Sequence, residues 1–436
     1  MRRHRRGGPG SDPRIAWLSP MPPAPTGIAS YSARVLEDLR PLLDRRVLVR
    51  WPVADVHEGD IAEHALAVFH LGNNVAYHRD IYRHAIATPG LVVLHDLALD
   101  DFVRGLVALG DPLGYRAARE ATRVPPPAGD DPALDGPLAT PWAAHVARRA
   151  RGIVVHAPYA RDHLRAAGVR TPIHVVPHPV PERPEALAAA MARRGELRAP
   201  LAAAGMRTLV GVFGDLNEAK LLDRVLAAVA TLDRSVHLVL VGRRIPSFDA
   251  EALAAGSGLG DRVRVLHDLD DAAFLAWLAA SDVVVDLRHP HRGEVSGSLA
   301  RAMQAGRPTV VSGVGTYLDV PATLVEHVAA GPVEPRELAA AIRRLAEPSV
   351  GRAMGEAAAR AVADDPSATA RAYAAAIGET LALVADPARR ALARWAGALA
   401  DLGATEADLA AGVGGRYAEA LAALVAAPGV EDPPLD

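Results

Sequence analysis

Short apolar runs alternate with amphipathic stretches along most of the chain. In the first half, the apolar runs lie at 14–20, 45–53, 66–72, 90–97, 152–158 and 173–180. A second set lies at 207–214, 235–242, 262–269, 281–287 and 308–314. Runs of this length, rich in Val, Ile and Leu, predict buried parallel strands, and the stretches between them have helical spacing. The alternation predicts an α/β protein with doubly wound parallel sheets.

The two sets of predicted strands indicate two Rossmann-like lobes, 14–182 and 207–347, that face each other across a cleft. The stretch 183–206 between them has no strand pattern and is rich in Ala, Arg and Pro, so we interpret it as a linker with one helix. Beyond the second lobe the pattern is only helical, which predicts a C-terminal helical appendage over 348–436. A basic tail occupies 1–13.

The composition is that of a globular protein and excludes several classes. Of 436 residues, 50% are hydrophobic and 23% are charged, which is ordinary for folded domains. The net charge of -3 and the aromatic share of 4% argue against a nucleic-acid partner, which needs a basic surface and stacking rings. Because cysteine is absent, disulfides, thiolate metal sites and a cysteine nucleophile are excluded.

Targeting and membrane segments are not predicted. No apolar run follows the basic opening MRRHRRGGPGSD, so it does not resemble a signal peptide. No stretch approaches the roughly 18 uncharged apolar residues of a transmembrane helix, so we expect a cytoplasmic protein. We interpret the tail as disordered, with weak peripheral contact to an anionic membrane as the alternative. The sequence leaves the oligomeric state open.

The 48 cationic side chains include a single lysine, Lys220, and the rest are arginine. Together with abundant Ala, Gly and Pro, this excess indicates a GC-rich coding bias and a bacterial origin. Under such a bias, arginine replaces lysine wherever only positive charge is needed. A retained lysine therefore indicates a site that requires a compact ammonium. The alternative is chance survival on a solvated helix.

Polar residues follow predicted strands where helices begin, which is where open parallel sheets bind ligands. In the first lobe these are Gly27 in the loop 19–32, and His95 and Asp96 in the segment 94–101. Helix N-termini attract anions, and His and Asp side chains can hydrogen-bond hydroxyls. The alternative is a plain tight turn at Gly27, and a strand-end histidine followed by a helix cap.

The second lobe has two such places. A strand ends at Gly214, and Lys220 falls just inside the next predicted helix, where its ammonium can reach a diphosphate in the cleft. Further along, Glu294 follows a strand end, and the range 296–298 opens a helix with Ser-Gly-Ser. The amides and hydroxyls of that helix start predict a phosphate cradle.

Weaker patterns do not change this picture. Asp268 and Asp270 match a D-x-D metal–nucleotide pattern, but they precede a predicted helix and more simply cap it. The spacing of His289, His291 and Glu294 fits no strong metal template, so we expect no metal. Neither a P-loop nor a G-x-S-x-G motif occurs.

Taken together, the motifs resemble the retaining glycosyltransferases of family 4. The segments that carry the resemblance are SPMPPAPTGIASYS, FHLGNNVAYHRDI, PGLVVLHDLAL, VFGDLNEAK and VVVDLRHPHRGEVSGSLARAMQAGRPTVVSGVG. Their order and spacing extend the resemblance over about residues 14–345. It implies the GT-B fold, a nucleotide-sugar donor in the second lobe, favoured as a UDP-sugar, and an acceptor mainly in the first lobe. It also implies that no metal or cofactor is needed.

The resemblance implies roles for the candidate residues. Lys220 would stabilise the leaving diphosphate, Glu294 would contact sugar hydroxyls, and His95 would lie beside the donor sugar. The donor-binding candidates are Gly27, Gly214, Asn217, Arg243, Ser296, Gly297, Ser298 and Leu299. The acceptor-side candidates are Tyr31, Asn73 and Asp96. The acceptor itself is left as a small molecule, a glycan or a lipid-linked sugar.

One departure concerns the E-x7-E motif of the family, whose second glutamate commonly holds the ribose in relatives. Arg301 and Ala302 occupy the candidate positions in this chain. The loss motivates a rival hypothesis, a catalytically silent GT-B-shaped binding or scaffold protein. A sugar-nucleotide epimerase of the same fold is a second rival.

A second departure lies directly after Gly214, where the family frequently has an arginine and this chain has Asp215. Lys220 would then act with Arg243, Arg288 or Arg292.

Overall fold

The computed structural model describes residues 14–385 except 45, 55, 125–130, 179–181 and 364–366. The predicted tail 1–13 and the predicted helices beyond residue 385 lie outside the described residues.

The first lobe is a six-stranded parallel sheet with helices between its strands. The strands are β1 (Ile15–Leu18), β2 (Val47–Val49), β3 (Leu66–Leu71), β4 (Leu91–Leu94), β5 (Gly152–Val155) and β6 (Ile173–Val175). The helices are α1 (Gly27–Leu39), α2 (Glu58–Ala62), α3 (Val75–Ala87), α4 (Asp100–Ala108), α5 (Pro112–Ala121), α6 (Ala144–Ala147) and α7 (Pro158–Ala166). The sheet order is β2-β1-β3-β4-β5-β6.

The second lobe repeats this plan. Helices α8 (Pro184–Ala192) and α9 (Arg194–Ala203) lead into β7 (Thr208–Phe213), β8 (Val236–Gly242), β9 (Val263–His267), β10 (Val283–Asp286), β11 (Thr309–Ser312) and β12 (Glu326–Val328). The remaining helices are α10 (Leu222–Ala230), α11 (Ala250–Gly256), α12 (Asp271–Ala280), α13 (Gly297–Gln304), α14 (Pro335–Ala346), α15 (Pro348–Ala363) and α16 (Ala368–Ala385). The sheet order is β12-β11-β10-β7-β8-β9.

The predicted two-lobe α/β architecture is confirmed, because each predicted apolar run contains a strand. These strands read as continuous apolar runs because helices cover both faces of each sheet; all four residues of β1 are fully buried. One observed strand, β12, was not predicted from the sequence. It is a three-residue edge strand with the polar pair Glu326 and His327, so it has no apolar run.

The stretch predicted as a linker with one helix contains both α8 and α9, and both pack on the second lobe. Leu201 lies in one apolar cluster with Phe213 and Leu278. Arg194 and Arg198 pair with Asp282 at 2.6 Å and 2.8 Å. Apolar side chains on the two helices, together with these ion pairs, attach the stretch to the second sheet.

The two described C-terminal helices also pack on the lobes. A Cβ on Gly355 of α15 would lie 2.1 Å from the carbonyl oxygen of Gly306, so this helix touches the second lobe backbone to backbone. Helix α16 returns to the first lobe, where Tyr373 is fully buried beside Trp17. The Tyr373 hydroxyl lies 3.0 Å from that of Tyr31 in α1. The chain therefore crosses between the lobes a second time.

Two glycines bring the ends of β7 and β8 together at the carboxyl edge of the second sheet. Gly214 follows β7 with a φ of 103°, and the amide of Gly214 donates to the carbonyl oxygen of Val241 at 3.1 Å. A Cβ on Gly242 would lie 1.6 Å from the carbonyl oxygen of Gly214. No side chain fits between these two backbones, so the loop from Gly214 depends on Gly242.

We expect Gly242→Ala to lower the free energy of unfolding by roughly 3 kcal/mol or more, because the methyl group must displace the Gly214 backbone. Gly195 in α9 is a matched control, since no described atom outside its chain neighbours and the backbone of its own helix lies within 4 Å of a Cβ built there. Gly195→Ala should stabilise by about 0.5–1 kcal/mol through helix propensity. Denaturant unfolding of both variants checks the contrast, and equal stabilities would contradict it.

Candidate active site

The carboxyl ends of both sheets face one cleft, and Arg292 joins the lobes there. Its carbonyl oxygen accepts hydrogen bonds from the amides of Leu97 (3.1 Å) and Ala98 (2.9 Å). Its guanidinium nitrogen Nε lies 3.2 Å from the Asp100 carboxylate. Arg292 therefore ties the second lobe to the first, and it is not one of the cations beside Lys220.

Lys220 lies in a 3-10 turn, Glu218–Lys220, and not inside the next helix as predicted. Leu221, with a φ of 51°, separates the turn from α10. The side chain of Lys220 is fully buried, and its ammonium donates to the Asp286 carboxylate. Burial, followed by the charge of Arg288, lowers the pKa of Lys220 to about 8, and Asp286 opposes both effects. Lys220 is thus a buried, paired cation and does not project freely into the cleft.

A second ion pair joins Arg288 Nε to Glu294 Oε1 at 2.9 Å. The Glu294 carboxylate also accepts the amide of Arg292 at 2.8 Å. Burial alone would raise the pKa of Glu294, but His291, Arg288 and backbone amides outweigh burial and lower it. The ionised carboxylate has further lone pairs, so it can still accept hydrogen bonds from hydroxyls.

Asp215, found where an arginine was expected, binds an arginine from the neighbouring strand. The guanidinium of Arg243, directly after β8, pairs with the Asp215 carboxylate through two bonds of 2.7 Å. Its Nη1 donates to the carbonyl oxygen of Pro25 in the first lobe. Bidentate pairing fixes the orientation of a guanidinium. Arg243 therefore places an oriented positive charge beside Asp215, at the carboxyl edge of the second sheet.

Helix α13 begins at the same edge. The hydroxyl of Ser296 caps it by accepting the amide of Leu299 at 3.2 Å. The Leu299 amide is therefore satisfied and does not add a donor, contrary to the sequence expectation. The amides of Gly297 and Ser298, the first two of the helix, have no intrahelical acceptor. They offer two donors and a positive helix end to an anion.

Two of the side chains predicted to bind the donor lie beside Gly214. A Cβ there would lie 3.6 Å from both Lys220 Nζ and Ser298 Oγ, so the two side chains converge beside this glycine. The side-chain oxygen of Asn217 is buried without a hydrogen-bond partner among the described residues. In the first lobe, Gly27 begins α1, and no described atom lies within 4 Å of a Cβ built on it.

Four adjacent strands of the first sheet each carry a histidine at or just after the carboxyl end, which we call the histidine cluster. Its members are His70 in β3, His95 after β4, His156 after β5 and His178 after β6. His70 Nδ1 lies 2.9 Å from His95 Nε2. The ring of Tyr31 stacks on that of His178, with centroids 4.9 Å apart, and meets the rings of His95 and His156 edge-on.

The histidine cluster is uncharged at neutral pH. Burial lowers the pKa of His156 to about 4. Burial and then the neighbouring His156 lower the pKa of the other three. The sequence singled out only His95, because the others lie in or beside apolar runs and resemble core residues. Only the order of the strands brings them together.

Asp96 faces the cleft, whereas Asn73 serves the backbone. The Asp96 carboxylate accepts the amide of Asn73 at 2.8 Å, and burial, followed by the nearby Glu294, raises the pKa of Asp96 to about 6. The side chain of Asn73 accepts the amide of Phe102 at 2.9 Å and donates to Asp100 at 3.0 Å. It therefore holds the start of α4 and is not free to contact an acceptor, whereas an acceptor-side role was predicted for it.

The two candidate positions for the second motif glutamate differ in surroundings. Ala302 is fully buried in the apolar core of the second lobe. Arg301 Nε donates to Glu182 at 2.8 Å, and its guanidinium lies 5.3 Å from the ring centroid of Phe274. A carboxylate is therefore present beside α13, but it comes from the segment between the lobes and the helix contributes the cation.

Two absences apply to the part of the chain that the structure describes. Within those ranges, no group of three or more His, Asp or Glu side chains is placed to hold a metal ion. Among the same residues, no helix combines the length and apolar composition required to cross a membrane.

Residues 207–348, which include the second sheet, match the family model described as Glycosyl transferases group 1. A curated relative, the 2-deoxystreptamine glucosyltransferase of Streptomyces kanamyceticus, is 31% identical over 218 residues. The match covers 49% of this chain and 55% of the relative, so the chain spans about half the length of the curated relative it matches.

Solved structures share the two-lobe architecture. A sucrose-phosphate synthase from Thermosynechococcus elongatus has a TM-score of 0.57 at 18% identity, over 87% of this chain and 99% of that one. HepE from Anabaena, in complex with UDP and glucose, has a TM-score of 0.57 at 18% identity, over 85% of this chain and 99% of that chain. At this identity the likeness shows the fold alone, and it confirms the predicted GT-B fold.

The histidine cluster makes stability depend on pH. The pKa of His156 is about 4 in the folded chain against an ordinary 6.5, so the unfolded chain binds more protons between these values. Stability is therefore full above pH 6.5 and is lost as the pH falls toward 4. At pH 5, protonation of His156 in the unfolded chain lowers the free energy of unfolding by about 2 kcal/mol relative to neutral pH.

We expect His156→Gln to flatten the decline in unfolding free energy between pH 7 and pH 5, measured by denaturant titration. His289 is exposed and provides the control, since His289→Gln should leave the slope unchanged. An unchanged slope in the His156 variant would contradict the assignment of a buried neutral imidazole.

Proposed function

We propose that the protein is a retaining glycosyltransferase that moves a sugar from a nucleotide-diphosphate sugar to an acceptor hydroxyl. One observation carries the proposal: three cation–carboxylate pairs converge with the free amides of α13 at one edge of the second sheet. That edge belongs to the stretch 207–348, which matches the glycosyl transferases group 1. Such an edge suits a diphosphate, because fixed positive groups and helix amides bind anions.

The donor we propose is a UDP-sugar. HepE from Anabaena, which shares the fold, was solved with UDP and with UDP-glucose. In this chain, Lys220, Arg243 and Arg288 each have a carboxylate partner, so the cations are oriented before a ligand arrives. Preorganised charges stabilise a developing anion without being rearranged during the reaction.

In the proposed reaction, the bond between the anomeric carbon and the diphosphate oxygen breaks, and its electron pair leaves with the diphosphate. The acceptor oxygen bonds to the anomeric carbon on the same face, which retains the configuration. The acceptor proton passes to an oxygen of the leaving phosphate. Lys220, Arg243, Arg288 and the α13 amides stabilise the charge on the diphosphate, and the facing lobes exclude water.

We propose that the first lobe binds the acceptor, with His95 beside the donor sugar. Uncharged imidazoles can hydrogen-bond hydroxyls without adding charge to the cleft. Asp96 lies at the same edge and can accept a hydrogen bond from a hydroxyl or an ammonium. The relative from Streptomyces kanamyceticus is named for 2-deoxystreptamine, so that compound belongs among the acceptor probes.

The proposal is tested by a thermal-shift screen against UDP, GDP, ADP and dTDP, followed by release of nucleotide diphosphate from the matching sugar donors. We expect UDP to raise the melting temperature most. A nucleotide at 100 times its dissociation constant stabilises by about 2.7 kcal/mol. Binding without transfer or donor hydrolysis would favour a silent scaffold. A donor sugar converted to its epimer without any acceptor would favour an epimerase.

Arg243→Gln tests the proposed phosphate site without disturbing the packing of the core, because the Arg243 side chain is 38% exposed. We expect kcat/KM for the UDP-sugar to fall by roughly 10- to 100-fold, the usual loss for one charge-assisted hydrogen bond, with little change in melting temperature. The adjacent Arg244 is a matched control, since it is 58% exposed and pairs with Glu251 instead. Equal effects of Arg243→Gln and Arg244→Gln would contradict the proposed site.

A further inference from the structure

We propose that Asp286 is a positioning residue for the transfer reaction: its buried carboxylate holds Lys220 Nζ and Ser298 Oγ beside Gly214 and keeps the ammonium charged. The inference rests on the proposed function and adds a residue that neither the motif pattern nor the family resemblance indicated. Asp286 is the last residue of β10, at the end of an apolar run, and is 1% exposed.

Three side chains donate to this one carboxylate. Lys220 Nζ and Ser298 Oγ (3.5 Å) both reach Oδ1, and the Tyr317 hydroxyl reaches Oδ2 at 3.0 Å. The three donors come from three separate segments: the turn after β7, the start of α13 and the segment Gly315–Asp319. Asp286 is therefore the point that fixes their positions relative to one another.

Two of these donors also lie close together beside the backbone of Gly214. Lys220 Nζ and Ser298 Oγ each lie 3.6 Å from where a Cβ of Gly214 would be. Glycine leaves that volume free of side chain, next to the unpaired amides at the start of α13. A phosphate oxygen placed there would meet an ammonium, a hydroxyl and helix amides together.

The charged groups that face Lys220 explain why Asp286 matters. Arg288 repels the ammonium and burial disfavours its charge, whereas Asp286 and, more weakly, Asp215 favour it. Arg288 is itself balanced by Glu294, so Asp286 is the direct counter-ion of Lys220. Without that carboxylate, a fully buried ammonium beside an arginine would lose its proton at lower pH.

A buried ion pair is seldom a source of net stability, because desolvation offsets the attraction. The pair between Lys220 and Asp286 is therefore poorly explained as a fold stabiliser alone. Its value under this proposal is to keep one charged donor at a fixed place. Asp282, at the other end of the same strand region, pairs with Arg194 and Arg198 away from the cleft and serves as the matched control.

Because Lys220 is the only lysine, isotope-labelled lysine gives one side-chain NMR signal in the whole chain. In the wild type we expect this signal to titrate near pH 8, well below an ordinary lysine. In Asp286→Asn it should titrate roughly one to three pH units lower, the usual effect of losing a close counter-ion. UDP affinity, measured by calorimetry between pH 6 and pH 9, should weaken at correspondingly lower pH in that variant. Asp282→Asn should leave both curves in place.

Two outcomes would overturn the proposal: an unshifted lysine signal in a folded Asp286→Asn protein, and an unshifted pH dependence of UDP affinity in that protein. Where Asp286→Asn does not fold, Asp286→Glu keeps the carboxylate and displaces it by one methylene group, and an unchanged lysine signal with unchanged UDP affinity in that protein would likewise overturn the proposal. If no nucleotide binds the wild type at any pH while the titration is as expected, the proposed function fails and the placement of Lys220 by Asp286 stands.

Discussion

Pairing of buried charges at the carboxyl edge of the second sheet is the constraint on which the cleft depends. A buried ion without a partner costs about 3–5 kcal/mol, so Lys220 carries its charge in this place because Asp286 is there. The largely buried Arg288 is paired with Glu294 in the same way, and the more exposed Arg243 is paired with Asp215. The loops that carry these residues are therefore set by electrostatics as much as by the packing of strands.

The same principle joins the two lobes. Arg292 binds the first lobe through its carbonyl oxygen and its guanidinium, and Arg243 reaches the Pro25 carbonyl oxygen opposite. Glu182, between the lobes, pairs with Arg301 on α13 and with Arg34 on α1 at 3.4 Å. Polar contacts of this kind exchange with water at a small cost, unlike apolar packing. They suit a cleft whose lobes change their separation when a substrate enters.

The strands were predictable because buried parallel strands appear as apolar runs, and the edge strand β12 was missed because it is short and polar. The segments of the site were predictable because they follow strand ends. The ion-pair partners of the site residues were not predictable, because they are distant in the sequence. Asp286 lies 66 residues from Lys220, and Glu182 lies 119 residues from Arg301. Such pairs depend on strand order, which no local pattern records. For the same reason Lys220 was expected to project into the cleft, whereas it is buried against a carboxylate.

The position of the single lysine has a consequence for how the molecule can be probed. A protease that cleaves only after lysine has one target bond in these 436 residues, and that bond follows a side chain with no exposed surface. Cleavage requires the turn Glu218–Lys220 to leave the body of the second lobe. The rate of cutting at residue 220 therefore reports local opening of the second-lobe side of the cleft, without any label or substituted residue.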